Sequence, residues 1–315
     1  MDRGEILDAT ESSLRRAGFS VSKRCSARPS CFDLTARKGR RLLLIKVSAD
    51  LGGVSATAAW ELRMISQHFS ATPLIIGIRS RNRRLEDDTV YVRYSVYSIT
   101  PRTFEDVILR GVHPLVEASP GGYYVRLNGR AIRERRYEIG LSIGKLAEMV
   151  GISRRTLYAY ERGFTKASVS IAYKLEWILG IPVVQPINIF QSPSPPRNPA
   201  SRPVRRMVRS RLLRAILEKL CQLNLRAIAT RKAPFDFIAQ APNGPSNLVG
   251  GVSREDEDNI EERLEEIVSV CRVVRAQPIF ITDGRKHIPN KGGVWLIPHK
   301  EFIRIKQPKD LYMHL

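Results

Sequence analysis

The sequence predicts a multidomain chain, α/β at both ends and all-α in the middle: a central five-helix module between two related α/β domains. Three observations predict it. From Ile132 to Leu179 apolar residues recur at helical spacing, with glycines at the breaks. On both sides, short apolar runs bounded by turn residues alternate with amphipathic stretches. The runs on one side echo those on the other in the same order. The expected boundaries are 1–118 and 123–190 for the first two domains, 191–209 for a linker, and 210–315 for the last domain.

At the N-terminus, Arg3–Ala17 reads as an amphipathic helix carrying Ile6, Leu7 and Leu14 on one face and ending at Gly18. Residues 19–22 alternate as a first strand. Cys31–Ala36 and Arg41–Ser48 read as two more, joined by the basic turn Arg37-Lys38-Gly39-Arg40. The run LLLIKVS is apolar on both faces and so central in a sheet. Ala56–Phe69 reads as a helix, Pro73–Ile78 and Val90–Ser98 as single strands, and Thr103–Arg110 as a closing helix. Ser119-Pro120-Gly121-Gly122 reads as a domain boundary and Tyr123–Leu127 as a short strand.

The central stretch carries the most specific pattern. Leu146, Ala147 and Val150 face one way on a short helix, and Gly151 supplies a tight turn with Ile152 behind it. Ser153 is an N-cap for a second helix with Leu157, Tyr160 and Glu161 inward and Arg154, Arg155 and Tyr158 outward. A short helix, a glycine turn and a basic helix N-terminus make a helix-turn-helix, the device that enters a major groove. A preceding helix from about Arg130 to Ile139, capped by Asn128, and a last one over Ala167–Leu179, stopped by Gly180 and Pro182, complete the module. The apolar run Pro182–Phe190 either packs back on it or forms a dimer contact.

Gly140-Leu141-Ser142, Leu146-Ala147, Gly151-Ile152-Ser153, Thr156-Leu157 and Tyr160-Glu161-x-Gly163 resemble the Xre/Cro-type helix-turn-helix of phage repressors and their cellular relatives. The resemblance implies that Ser153–Arg162 is the recognition helix and that Arg136 and Glu161 form a buried salt bridge. It implies base contacts from Arg154 and Arg155 and a thymine-methyl or phosphate contact from Tyr158, with Ser153, Thr156 and Lys166 at the same interface. Arg133, Lys145 and Arg162 would neutralise phosphates. Two residues depart from the family pattern. Ile143 stands where a glutamine is common, which removes one usual phosphate contact. Arg135 replaces a core leucine, with Tyr137 and Ile139 expected to take over its packing.

The first α/β unit resembles the PD-(D/E)XK nuclease-like fold of archaeal Holliday-junction resolvases, through Phe32-Asp33 on one strand and Leu44-Ile45-Lys46 on the next. An active member of that fold places an acid where Leu44 stands, because two carboxylates share a divalent metal beside the lysine. Asp33 and Lys46 are therefore residual positions without a metal site. A replacement carboxylate would have to come from Glu5, Glu11 or Glu61. The expectation is no catalytic residue, no metal and no cofactor; neither a Walker A loop nor a GxGxxG occurs.

Charge concentrates around the helix-turn-helix. The net charge is +21; residues 121–190 hold 11 basic and 5 acidic side chains, and 191–215 hold seven basic and none acidic. That distribution points to a nucleic-acid partner. Residues 191–209, rich in Pro, Ser and Arg, read as a linker. No apolar run is long enough to span a membrane and the acidic start is no signal peptide, so the expected setting is cytoplasmic, with four free thiols. Cys25 and Cys31 read as small buried apolar groups, since no His or further Cys completes a zinc set.

The C-terminal third repeats the first. Phe235-Asp236 echoes Phe32-Asp33, Asn247–Ser253 echoes Leu42–Ser48, and Ile260–Arg272 echoes the helix near Ala58–Phe69. Gln277–Thr282 echoes Thr72–Gly77, and Val294–Phe302 echoes Val96–Phe104. Gly251 stands in place of Lys46. The acidic run at 255–258 with Glu261, Glu262, Glu265 and Glu266 reads as a solvated helix face rather than a metal cluster. In architecture and order the whole chain resembles an archaeal family of Xre-type transcriptional regulatory proteins. That implies a sequence-specific regulator of transcription that binds double-stranded DNA as a homodimer, with any small-molecule effector open. The competing reading is a structure-selective nuclease or DNA-repair accessory built on the N-terminal domain.

Overall fold

A computed structural model of the chain describes residues 1–191, 210–240, 247–253, 259–283 and 293–311. The helices are α1 Arg3–Arg16, α2 Ala56–His68, α3 Pro101–Glu105, α4 Gly129–Glu138, α5 Ile143–Val150, α6 Arg154–Glu161, α7 Val169–Leu179, α8 Arg211–Gln222, α9 Ile260–Val274 and α10 His299–Arg304. The strands of the first 190 residues are β1 Ser20–Val21, β2 Leu34–Lys38, β3 Arg41–Val47, β4 Thr72–Ile76, β5 Arg79–Ser80, β6 Arg83–Arg84, β7 Thr89–Arg93, β8 Val96–Ile99, β9 Val116–Ser119, β10 Gly122–Leu127, β11 Ala167–Ser168 and β12 Val184–Gln185. Those beyond are β13 Arg226–Ala229, β14 Phe237–Gln240, β15 Leu248–Val252, β16 Gln277–Thr282 and β17 Trp295–Pro298. The chain divides into two compact units, Met1–Ser13, Ser48–Gly53 and Leu74–Ser194 in one, and Leu14–Val47, Val54–Pro73 and Pro195–Leu315 in the other.

In the first unit the strands lie in the order β4, β8, β7, β9, β10, β11, with β12 also on β10. Residues 90–98, expected as one strand, are a hairpin. Tyr94 and Ser95 both adopt left-handed φ angles of 48° and 60°, which is what a two-residue turn between twisted strands demands. The expected boundary at 119–122 is likewise the turn of the β9–β10 hairpin. Because β10 pairs with β11 and β12, the sheet runs straight into the helical module. The closing helix after β8 is α3, capped by the Thr100 hydroxyl on the Thr103 N–H, followed by a wider π turn over Asp106–Arg110.

The module holds four α-helices, α4 to α7, not five. Ala167 and Ser168, expected inside the last helix, pair with β10 as β11, and the Ser168 hydroxyl caps α7 at Ile171 N–H. The run after Gly180 packs back within the unit: Val183, Ile187 and Ile189 are fully buried, and β12 pairs with β10.

In the second unit β1, β2 and β3 are antiparallel, and a five-stranded sheet runs β13, β14, β15, β16, β17. Its first three strands are antiparallel and its last two pairs parallel. The two sets match in detail. Asp33 N–H donates to the Ile45 carbonyl, and its carboxylate accepts Val47 N–H. Asp236 N–H donates to the Gly250 carbonyl, and its carboxylate accepts Val252 N–H. Cys25, Cys31 and Cys271 are buried, and burial holds their thiols well above the ordinary range. They act as small apolar groups.

Candidate nucleic-acid interface

Two serine-capped helices build the interface. The Ser142 hydroxyl accepts Lys145 N–H at 3.1 Å at the start of α5, and Ser153 accepts Thr156 N–H at 3.0 Å at the start of α6. Between them Gly151 has φ 81°, a left-handed C-cap that a side chain would strain. The inner faces are the expected ones. Leu146, Ala147, Val150, Leu157 and Tyr160 join Ile132, Ala172, Leu175 and Leu179 in one apolar core with Val125 and Leu127 of β10.

A polar clamp ties α4 to α6. Arg136 donates to both Glu161 oxygens, at 2.7 and 3.2 Å, and to the Leu141 carbonyl at 2.9 Å. Both side chains are about 95% buried, at 5% and 6% exposure. The hydrogen bonding of the guanidinium to the Glu161 carboxylate holds Arg136 above its ordinary pKa. Behind the clamp, α4 starts so close to α6 that a Cβ on Gly129 would lie 2.4 Å from the Tyr160 and Glu161 carbonyl oxygens.

The outer face exposes Arg155 and Tyr158, with Thr156 half-buried against Ser153. Arg162 stacks over the Tyr158 ring at 5.4 Å, so the aromatic and the cation present one surface. Arg154 is exposed, but its guanidinium folds back over Gly144, close enough that a Cβ there would sit 2.8 Å from Nε. It thereby lines a groove of about 570 Å³ between the capped starts of α5 and α6. Arg133 and Lys145 are exposed, the first over Tyr137, the second 3.1 Å from Glu148.

Lys166 is ion-paired with the buried carboxylate of Glu117 on β9, which ties the module to the sheet. One expectation needs correction. Tyr137 and Ile139 do not replace the core leucine: they are 62% and 37% exposed. Arg135 itself supplies the substitute, donating to the Leu179 carbonyl at the end of α7 at 3.0 Å. Ile143 packs against the apolar core.

Residues 3–114 match the PD-(D/E)XK superfamily domain and residues 132–185 a helix-turn-helix domain. Over nearly its full length the chain is similar to archaeal proteins that carry, provisionally, the name HTH-type transcriptional regulatory protein. It is 33% identical to one from Methanosarcina barkeri across 98% of this chain and 93% of that one. Identity is 39% to one from Methanoculleus marisnigri, across 94% and 93%. It is 32% to one from Pyrococcus horikoshii, across 99% and 96%. The chain belongs to this family of HTH-type transcriptional regulatory proteins.

In this HTH-type regulatory protein the nuclease-like positions are occupied by internal ion pairs. Lys46 Nζ lies 3.1 Å from Asp33 Oδ1 and donates to the Ser30 carbonyl at 2.8 Å. Leu44 is fully buried. In the second copy, a Cβ on Gly251 would lie 2.4 Å from the Phe280 ring, so no lysine fits. A cation arrives from a helix instead. Arg263 of α9, fully buried, pairs with Asp236 and donates to the Pro234 and Val252 carbonyls. Arg28 approaches the same carboxylate at 3.0 Å. Among the described residues no three His, Cys, Asp or Glu side chains gather as a metal site.

Sequence reasoning missed a reciprocal pair of helix carboxylates in this unit. Glu61 of α2 accepts the N–H groups of Arg231 and Lys232 at 2.6 and 2.7 Å. Glu266 of α9 accepts those of Ser26 and Ala27. Glu61 thereby ties α2 to the loop at 231–232. Glu266 is 2% exposed, which corrects its reading as part of a solvated face, and burial raises its carboxyl pKa. Residues 254–258 of the acidic run lie outside the described residues, as do the arginines of 192–209. No helix among the described residues is long and apolar enough to cross a membrane.

Proposed function

We propose that this regulatory protein is a sequence-specific binder of double-stranded DNA that reads the major groove with α6. One observation carries the reading: the capped start of α6 turns Arg155 and Tyr158 outward, while Leu157, Tyr160 and Glu161 lock its other face in place. Arg155 has the fork geometry to take a guanine edge bidentately, and Tyr158, backed by Arg162, contacts a thymine methyl or a phosphate. The groove between the starts of α5 and α6 presents two helix N-termini and Arg154, a setting suited to a phosphate. Arg133, Lys145 and Arg162 add sequence-independent affinity. Ser153 and Thr156 shape the helix start.

The functional division we propose is a nuclease-like domain over 1–118, the DNA-binding module over 123–190 and a second α/β domain over 210–315, joined through 191–209. The two α/β domains are related copies without catalytic function. Two features support this: in the first domain fully buried Leu44 stands where an active member places its second carboxylate, and in the second Arg263 supplies the cation for Asp236 where Gly251 leaves no room for a lysine. A homodimer on paired half-sites is the assembly that fits a single recognition helix per chain.

The test is Arg155→Ala on the preferred duplex and on random duplex. A loss of about 1–3 kcal/mol confined to the preferred sequence is expected; equal losses on both would contradict the reading.

A further inference from the structure

We infer that the β5–β6 hairpin of the nuclease-like domain is a second DNA-binding element, an arginine ribbon that grips the phosphate backbone beside the site read by α6. The inference rests on the DNA-binding reading above and adds a ligand contact outside the helix-turn-helix.

The hairpin carries four arginines in six residues, Arg79, Arg81, Arg83 and Arg84. All four are exposed. Antiparallel register sets Arg79 directly opposite Arg84. Like charges facing each other across a ribbon destabilise it, and an anion bound between them removes that penalty. The ribbon is nevertheless firmly built. The Asp50 carboxylate accepts Arg81 N–H at 2.9 Å and Gly52 N–H at 2.7 Å, fixing the turn from below. Leu85 is buried and its N–H closes the root on the Ile78 carbonyl at 2.9 Å. Asp50 approaches Arg79 only at 3.9 Å. Of the three exposed acids that follow, Glu86 accepts the Tyr123 hydroxyl and Asp87 accepts the Thr100 hydroxyl, while Asp88 lies beyond them in the chain.

Topology places the ribbon at the end of the sheet from which the helical module begins, in the same compact unit. β4 and β8 run parallel, β7 returns against β8, β9 runs with β7, and β10 turns back again. Hence β4 and β10 point the same way. The chain leaves the end of β4 into the arginine hairpin and the end of β10 into Asn128 and α4, so both emerge from one end of the sheet. Four strand spacings separate their roots, about 19 Å. That is roughly five to six base-pair steps along a duplex, at 3.4 Å each.

The test compares the full-length wild type with Arg83→Ala/Arg84→Ala and with Arg83→Lys/Arg84→Lys, on a preferred and a random duplex of about 40 base pairs across a salt series. The expected result is an equal fold-loss of affinity on both duplexes for the alanine pair. The slope of log K against log salt should shrink by about two, since each phosphate contact contributes about 0.9. The lysine pair should restore the slope, which a misfolded hairpin would not allow. An unchanged slope in the alanine pair would overturn the ribbon and leave α6 as the reader. Wild type that ignores duplex DNA at low salt would overturn both. Loss of binding to phosphatidylserine vesicles with no change on DNA would assign the ribbon to a membrane surface and overturn it as well.

Discussion

Arg136 holds Glu161 through two hydrogen bonds at 2.7 and 3.2 Å, joining the first helix of the DNA-binding module to the end of the recognition helix inside the core. The pair fixes where α6 stands, because Glu161 is its last residue. Removing one partner leaves a buried charge alone, which costs far more than removing both. Arg136→Met is expected to destabilise the module by about 3–5 kcal/mol, and Arg136→Met with Glu161→Leu should recover most of that. Urea unfolding followed by circular dichroism measures both. A double variant as unstable as the single one would show that the two residues are not coupled.

Lys166 and Arg133 separate strut from contact. Lys166→Met strips the partner from buried Glu117 and should lower the melting temperature while leaving the salt slope of DNA binding unchanged. Arg133→Ala should do the reverse, reducing the slope by about one with little effect on stability. If Lys166→Met reduces the slope as Arg133→Ala does, Lys166 is a phosphate contact after all.

Glu266 gives the second unit a pH dependence of definite sign. Burial raises its pKa in the folded chain, so the folded state binds that proton more tightly than the unfolded state does. The stability from this linkage is complete below the ordinary carboxyl pKa of about 4.3 and is lost as pH rises through the folded value. Glu266→Gln keeps an oxygen for the Ser26 and Ala27 N–H groups and cannot ionise. Its stability relative to wild type should therefore rise as the pH is raised from about 4.3 through the folded value. A difference that stays constant as the pH is raised would remove Glu266 as the titrating group.

The nuclease-like positions predict an inert site. With buried Leu44 in place of the second carboxylate and Arg263 on Asp236, millimolar Mg²⁺ should leave the melting temperature where EDTA leaves it, and duplex DNA incubated with protein and Mg²⁺ should keep its length. Shortened fragments that disappear in Asp33→Ala would establish a nuclease.

The module was legible because its signals are local. Ser153, Gly151 and the spacing of Leu146, Val150 and Leu157 act within one or two helical turns, and each took its expected place. The paired Asp33 and Asp236 were legible because a duplicated strand pattern repeats its residues in order. What escaped was long-range or compensatory. Nothing near Glu61 marks it as the acceptor for the backbone at 231–232, 170 residues away. Arg135 looked like a flaw in a core position because its real partner is a carbonyl at the far end of another helix. Turns misled where two roles share a composition: Tyr94-Ser95 carries no glycine yet turns a hairpin, and the glycine-bearing Ser119–Gly122 stretch turns one as well.

The measurement closest to the central claim is selection from the organism's own sheared genomic DNA by the wild-type protein and by Arg155→Ala. The account predicts that wild type retains a few intact fragments sharing an inverted repeat, and that Arg155→Ala loses this preference while still binding DNA at low salt. Uniform retention by both proteins would contradict it, making the chain a non-specific DNA-coating protein whose α6 reads no sequence.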